Sequence, residues 1–169
     1  MRLAVILLVV AGCGVADFDV TQPIIEQRVQ GSALPGPLGM LFPLPLSLDL
    51  SAKIKQQNSG PIDGVTLSSL TLSITKTAEP SGDTDDWSFV DSIDVYVSSS
   101  KSGSTLPKLK LAHVASPGTV RTLNFIVESG VNLKPYVEEG SVVEGTATGR
   151  APQDDETYDG VAVFTVHPL

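Results

Sequence analysis

Apolar and polar residues alternate along most of the chain with a period of two. Between Leu44 and Gln56 the alternation is strict. Leu46, Leu48, Leu50, Ala52 and Ile54 fall on one side, and Ser47, Asp49, Ser51, Lys53 and Lys55 on the other. Successive side chains of an extended chain point to opposite faces, so this stretch predicts a half-buried antiparallel strand. Val65 to Thr77 repeats the period, but Val65 and Leu67 are out of phase with Leu70, Leu72 and Ile74, which predicts a bulge or break near Ser68 and Ser69. Trp87 to Ser99 carries Trp87, Phe89, Ile93, Val95 and Val97 on its odd-numbered face. Leu106 to Val114 sets Leu109, Leu111 and His113 against Lys108 and Lys110, and Val120 to Glu128 turns Leu123, Phe125 and Val127 inward. Ser141 to Gly149 alternates again. Val161 to His167 is apolar on both faces, the mark of a strand central in its sheet. Asp17 to Gln30 alternates loosely, and Pro23 lacks a ladder donor, so this stretch predicts an edge strand or two short pieces.

Turn chemistry separates these runs: Asn58-Ser59-Gly60-Pro61, Pro117-Gly118, and the acidic stretches 79–86 and 150–160. Residues 129–140 predict one turn of helix or an arch between sheets. Gly31 to Pro45 is apolar but holds Pro35, Pro37, Pro43 and Pro45, which exclude a helix interior or central strand. It is expected to fold over the end of the core, or to be an exposed partner-binding loop. About eight strands with turn signals between them give an all-β fold. An antiparallel β-sandwich with an immunoglobulin-like Greek key is the first expectation and a small closed β-barrel the alternative.

The N-terminus breaks this pattern. Arg2 precedes an unbroken run of small and apolar residues from Leu3 to Gly12, followed by Cys13, the only cysteine in the chain. A helix needs about 20 apolar residues to cross a hydrocarbon core, so this run is too short to span and suits a removable leader. Val10-Ala11-Gly12-Cys13 resembles the lipobox of bacterial lipoproteins. The resemblance implies cleavage before Cys13, a diacylglycerol on its thiol and acylation of the new amino terminus. Gly14 departs from the aspartate that retains such proteins in the inner membrane, so the resemblance implies the outer membrane in a cell that has two. A lone thiol in an oxidising compartment is a liability, and lipidation consumes it. The organisation expected is a leader over residues 1–12, the lipidated Cys13 with a short tether over 13–17, and one domain over 18–169.

Composition narrows the partners. The formal net charge is −8, and −9 once Arg2 is removed with the leader. That balance argues against nucleic acid, which calls for a basic stripe, and against adhesion to anionic headgroups by charge. Candidate chemistry is sparse. His113 and His167 are the two imidazoles, and neither lies in a nucleophile motif. With Cys13 committed to lipid, no His/Cys cluster offers a zinc site. Asp83, Asp85, Asp86, Asp154 and Asp155, with Glu156 and Asp159, supply hard oxygen ligands on loops, making them weak calcium candidates without EF-hand spacing. Trp87 beside an acidic loop is thin support for a sugar cleft. No glycine-rich phosphate loop opens a helix, and no cofactor is implied.

These readings give a non-enzymatic envelope lipoprotein, held on a membrane through Cys13 and offering loop 31–45 or an edge strand to a protein partner. A carrier with an apolar ligand in a β-barrel cavity is the alternative, and a surface hydrolase using the acidic loops is the third class.

Overall fold

The structure, a computed structural model, describes residues 16–32, 40–42, 44–46, 48, 50, 54, 56, 60–76 and 85–169. In chain order the strands are β1 (Phe18–Val29), β2 (Met40–Phe42), β3 (Ile62–Ile74), β4 (Val90–Ser99), β5 (Leu109–Ala115), β6 (Thr122–Asn124), β7 (Ile126–Val127), β8 (Ser141–Gly149) and β9 (Glu156–Pro168). A 3-10 turn, Trp87–Phe89, leads into β4, and a short helix, α1 (Lys134–Glu139), leads into β8.

Two antiparallel sheets form, in the orders β1-β9-β3-β6 and β2-β8-β4-β5-β7. They stack as the expected β-sandwich and do not close, which sets aside the barrel alternative. The strand order refines the Greek key. An immunoglobulin domain places its first two strands side by side in one sheet. Here the first strand pairs with the last, β3 lies between β9 and β6, and successive strands cross from sheet to sheet except at β4–β5 and β7–β8. That is the double Greek key of a jelly roll.

The inward residues follow the alternation in most strands. Val65, Leu72, Phe164 and Val166 from one sheet meet Ile93, Val95, Val97 and Ala112 from the other, all fully buried. The register of β3 against β9 shifts between Leu67 and Ser69, the bulge expected there. β9 sits between β1 and β3, as its two apolar faces predict. Residues 120–128 do not run as one strand. β6 pairs with β3, β7 pairs with β5, and buried Phe125 turns the chain from one sheet to the other between them.

The strand expected over 44–56 is a correction. Leu44, Leu46, Leu48 and Leu50 are buried as the alternation requires, but no described residue there lies in a strand, and Ile54 and Gln56 are helical. Short-range bonds replace the ladder: the amide of Leu46 donates to Leu44 O (2.8 Å), that of Leu50 to Leu48 O (2.7 Å) and that of Ile54 to Leu50 O (2.9 Å). Gly145 makes room for this ribbon. A Cβ there would meet Leu44 Cδ1 at 2.8 Å, so the side chain of Leu44 fills the space over β8.

The sandwich has two distinct ends. At one lie the start of β1, the start of β3 and the end of β9, with Phe18 opposite Val166 and Ile62 opposite Pro168. Leu133, ahead of α1, donates its amide to Val65 O (2.7 Å), and Ser100 N reaches Gly140 O (3.0 Å), so α1 and the 100–106 turn close this same end. The opposite end carries Asp85, Asp86 and the 150–155 loop, and there Ile74 N bonds Arg121 O (2.9 Å) and Arg150 N bonds Phe89 O (2.8 Å).

Candidate functional site

Cys13 and the rest of the lipobox lie outside the described residues, as does Asp83. The first described residues are Ala16 and Asp17, and Asp17 already touches the sheet. Asp17 Oδ2 is 2.9 Å from His167 Nδ1, and His167 Nε2 is 3.1 Å from Thr66 Oγ1. A carboxylate can only accept, so the proton sits on Nδ1, and in the neutral ring Nε2 accepts from the threonine hydroxyl. The chain of bonds runs from the tether through β9 to β3.

This is also the donor order of an acyl-transfer triad, carboxylate to imidazole to hydroxyl. The neighbouring rung explains it differently. Thr165 Oγ1 donates to Asp19 Oδ1 (2.7 Å) and shares a hydrogen bond with Ser68 Oγ. The same layout thus recurs two residues along each of β1, β9 and β3, without an imidazole. Ser73 with Thr122 (3.0 Å) extends the pattern toward the other end. His167 is one rung of a cross-strand hydroxyl ladder that covers the outer face of this sheet.

At the same end, Glu139 binds the 100–106 turn. Ser104 Oγ donates to Glu139 Oε2 (2.6 Å), and Lys101 Nζ lies 3.2 Å from Oε1. Hydrogen bonds from Ser104 and Ser99, with the Lys101 ammonium beside them, hold this carboxyl below the usual carboxylate range. Tyr136 from α1 is buried, and its hydroxyl donates to Pro107 O (2.6 Å); burial pushes its phenol above the ordinary value.

The acidic residues of the opposite end have structural partners. Asp85 is buried and pairs with Arg121 at 3.3 Å. Asp86 caps the 3-10 turn, accepting from Ser88 N (2.8 Å), which is why Trp87–Phe89 turns instead of extending. Asp155 pairs with Arg28 and accepts from Gly31 N (2.8 Å), so the 150–155 loop is fastened to the end of β1; residues 156–160, expected in this turn, already belong to β9. Asp159 Oδ1 accepts from Glu26 N (2.8 Å) and supports a bulge in β1, where Glu26 has φ +50°. Asp154 joins the same loop, its backbone packed on Gly31. Among the described residues no group of three His, Cys, Asp or Glu is placed to hold a metal.

Trp87 is fully buried and donates from Nε1 to Arg121 O (3.1 Å). With Phe42, Phe89 and Tyr158 it forms an aromatic cluster whose ring centroids lie 5.2–6.1 Å apart. It is a core residue and lines no sugar cleft. His113 pairs with Glu128 at 3.0 Å on the outer face of the second sheet. Beside it Lys110 pairs with Asp94 (2.7 Å) and Lys108 with Glu144 (2.6 Å), both ammonium groups lying over the Tyr96 ring. These charges satisfy one another and leave no catalytic group poised.

Among the described residues the long β1 pairs with β9 alone and is the edge strand of its sheet. Pro23 and the Glu26 bulge interrupt it, and Ile25 at the bulge is 62% exposed. A proline and a bulge on an edge limit uncontrolled strand pairing. Loop 31–45 is described only in part. It contributes β2 to the other sheet edge and buries Phe42 and Leu44.

No protein-family model matches the chain, and no curated protein matches it. Among solved structures the chain aligns with one from turnip yellow mosaic virus at 12% identity, over 100% of this chain and 91% of that one, with a TM-score of 0.27. Superposition at that level carries no argument, and the jelly-roll assignment rests on the strand order. Among the described residues no helix is long and apolar enough to cross a membrane.

Proposed function

We propose that this chain is a non-enzymatic lipoprotein of the bacterial envelope, anchored through a lipid on Cys13, that presents its β-sandwich to a binding partner. The observation that carries this is the sequence Val10-Ala11-Gly12-Cys13, set after a short apolar run and holding the only cysteine of the chain. The fold agrees with it in one respect. β1 begins at Phe18, so only a few residues separate the cysteine from the folded body. Acyl chains contribute about 0.8 kcal/mol per buried CH2, and two or more chains hold a protein of this size firmly. An outer-membrane destination follows from Gly14.

A partner strand adds at a sheet edge, and β1 is the edge strand of its sheet among the described residues. The test is detergent phase partition of the full chain produced in a bacterial host. The native chain enters the detergent phase, and Cys13→Ser leaves the protein in the aqueous phase or unprocessed. Equal partition of the two into water would overturn the proposal.

A further inference from the structure

Resting on the proposal that Cys13 is lipidated, we infer that the domain stands end-on at the bilayer. The end that carries Asp17, Pro61, α1 and the 100–106 turn faces the phospholipid headgroups, and the acidic loops point away. Three observations carry this.

The first is length. Cys13 and Asp17 are four Cα steps apart, so the chain between them spans no more than about 14 Å. β1, with 12 residues, is roughly 36 Å long at about 3.3 Å per residue. The far end is therefore beyond the reach of the tether while the near end is not.

The second is direction. Asp17 does not swing freely at the start of β1. Its bond to His167, and that of His167 to Thr66, hold the residue before the strand against the ends of β9 and β3. The tether therefore starts from this end of the sandwich. Asp17 acts here as a positioning residue.

The third is surface chemistry. A domain lying on its side would press one outer sheet face on the lipid. One face is the ladder of hydroxyls with Asp19, and the other carries the Lys108–Glu144 and Lys110–Asp94 pairs. Exposed apolar residues are few on either sheet, Ile25 and Val161 on one and Ile126 and Val142 on the other. At the near end both lysines are paired, Lys101 with Glu139 and Lys134 with Glu138. Short tether and fixed exit seat the domain; adhesion is not required.

The test uses energy transfer to dansyl-labelled headgroups in phosphatidylcholine vesicles carrying the full lipidated chain. Trp87, the only tryptophan, sits at the far end. Lys101 is 64% exposed at the near end, so Lys101→Trp places a second donor there with little effect on the fold. Weak transfer from the native chain and severalfold stronger transfer from Lys101→Trp are expected. In Asp17→Ala, transfer from Trp87 rises because the exit is no longer held. Transfer from Trp87 equal to that from Lys101→Trp would overturn the inference, and so would Asp17→Ala without effect. If Cys13 proves unacylated, the unmodified thiol can be coupled to a maleimide headgroup lipid in the same vesicles. The same ordering of transfer is expected, so failure of the anchor and failure of the orientation give different results.

Discussion

The two ends of the sandwich are built on different principles. The acidic end holds the heavy core: Trp87, Phe42, Phe89 and Tyr158 packed together, and a buried carboxylate, Asp85, beside Arg121. The end at which β1 begins is closed by one short helix and by hydrogen bonds between exposed or half-buried groups, among them Asp17 with His167 and Glu139 with Ser104. In the proposed anchoring the aromatic cluster lies away from the lipid, and these bonds lie beside it. Substitutions at the two ends should therefore separate stability from position.

The largest effect is expected from Trp87→Ala. The side chain is fully buried, and truncation removes its contacts with three rings and leaves a cavity. A loss of about 3–5 kcal/mol in denaturant unfolding is expected. A loss of under about 1 kcal/mol would show that the aromatic cluster does not organise that end.

Arg121→Ala comes next. It withdraws the guanidinium from Asp85, whose side chain is 1% exposed, while the arginine itself is 48% exposed and partly screened. The expected cost is about 1–3 kcal/mol. A double-mutant cycle with Asp85→Asn isolates the pair, and additivity of the two single losses would mean the contact is not an interaction.

Alkaline pH provides a smaller, graded test. Burial pushes the Tyr158 phenol far above its ordinary value of 10.0, and that of Tyr136 upward as well. The folded state keeps a proton that the unfolded chain releases, so this stability is complete below pH 10 and is lost as the pH rises above it. For Tyr158 the slope is about 1.4 kcal/mol per pH unit. Tyr158→Phe should flatten the alkaline limb, and an unchanged limb would assign it to other groups.

The smallest effect on stability is expected from Asp17→Ala. Asp17 is 59% exposed, and exposed pairs contribute about 0–1 kcal/mol. A loss comparable with that of Trp87→Ala would abolish the distinction between the ends.

The alternating pattern reported burial more faithfully than it reported pairing. In 44–56 the even-numbered leucines are buried as expected, yet the backbone bonds to itself within a few residues. Alternation states which side faces the core and carries no information on whether a neighbouring strand is available. In β9 the less regular pattern was the more informative one, because residues apolar on both faces belong between two strands. The jelly-roll order was not legible, since it depends on pairing residues 18–29 with 156–168 across the whole chain. His167 lies near the end of β9, two residues beyond Thr165. Its bonds to Asp17 and Thr66 cross 150 and 101 residues of sequence, and no local signal announces them. The proposal for Cys13 rests on linear sequence alone, because Cys13 lies outside the described residues.

The account depends most on the fate of that cysteine. Mass spectrometry of the mature N-terminal peptide, from protein made in a bacterial host, tests it directly. A peptide that begins at Cys13 with diacylglycerol on Sγ and an acyl group on its amino nitrogen is predicted. A mature chain cut elsewhere, or one that keeps Cys13 as a free thiol, would contradict it.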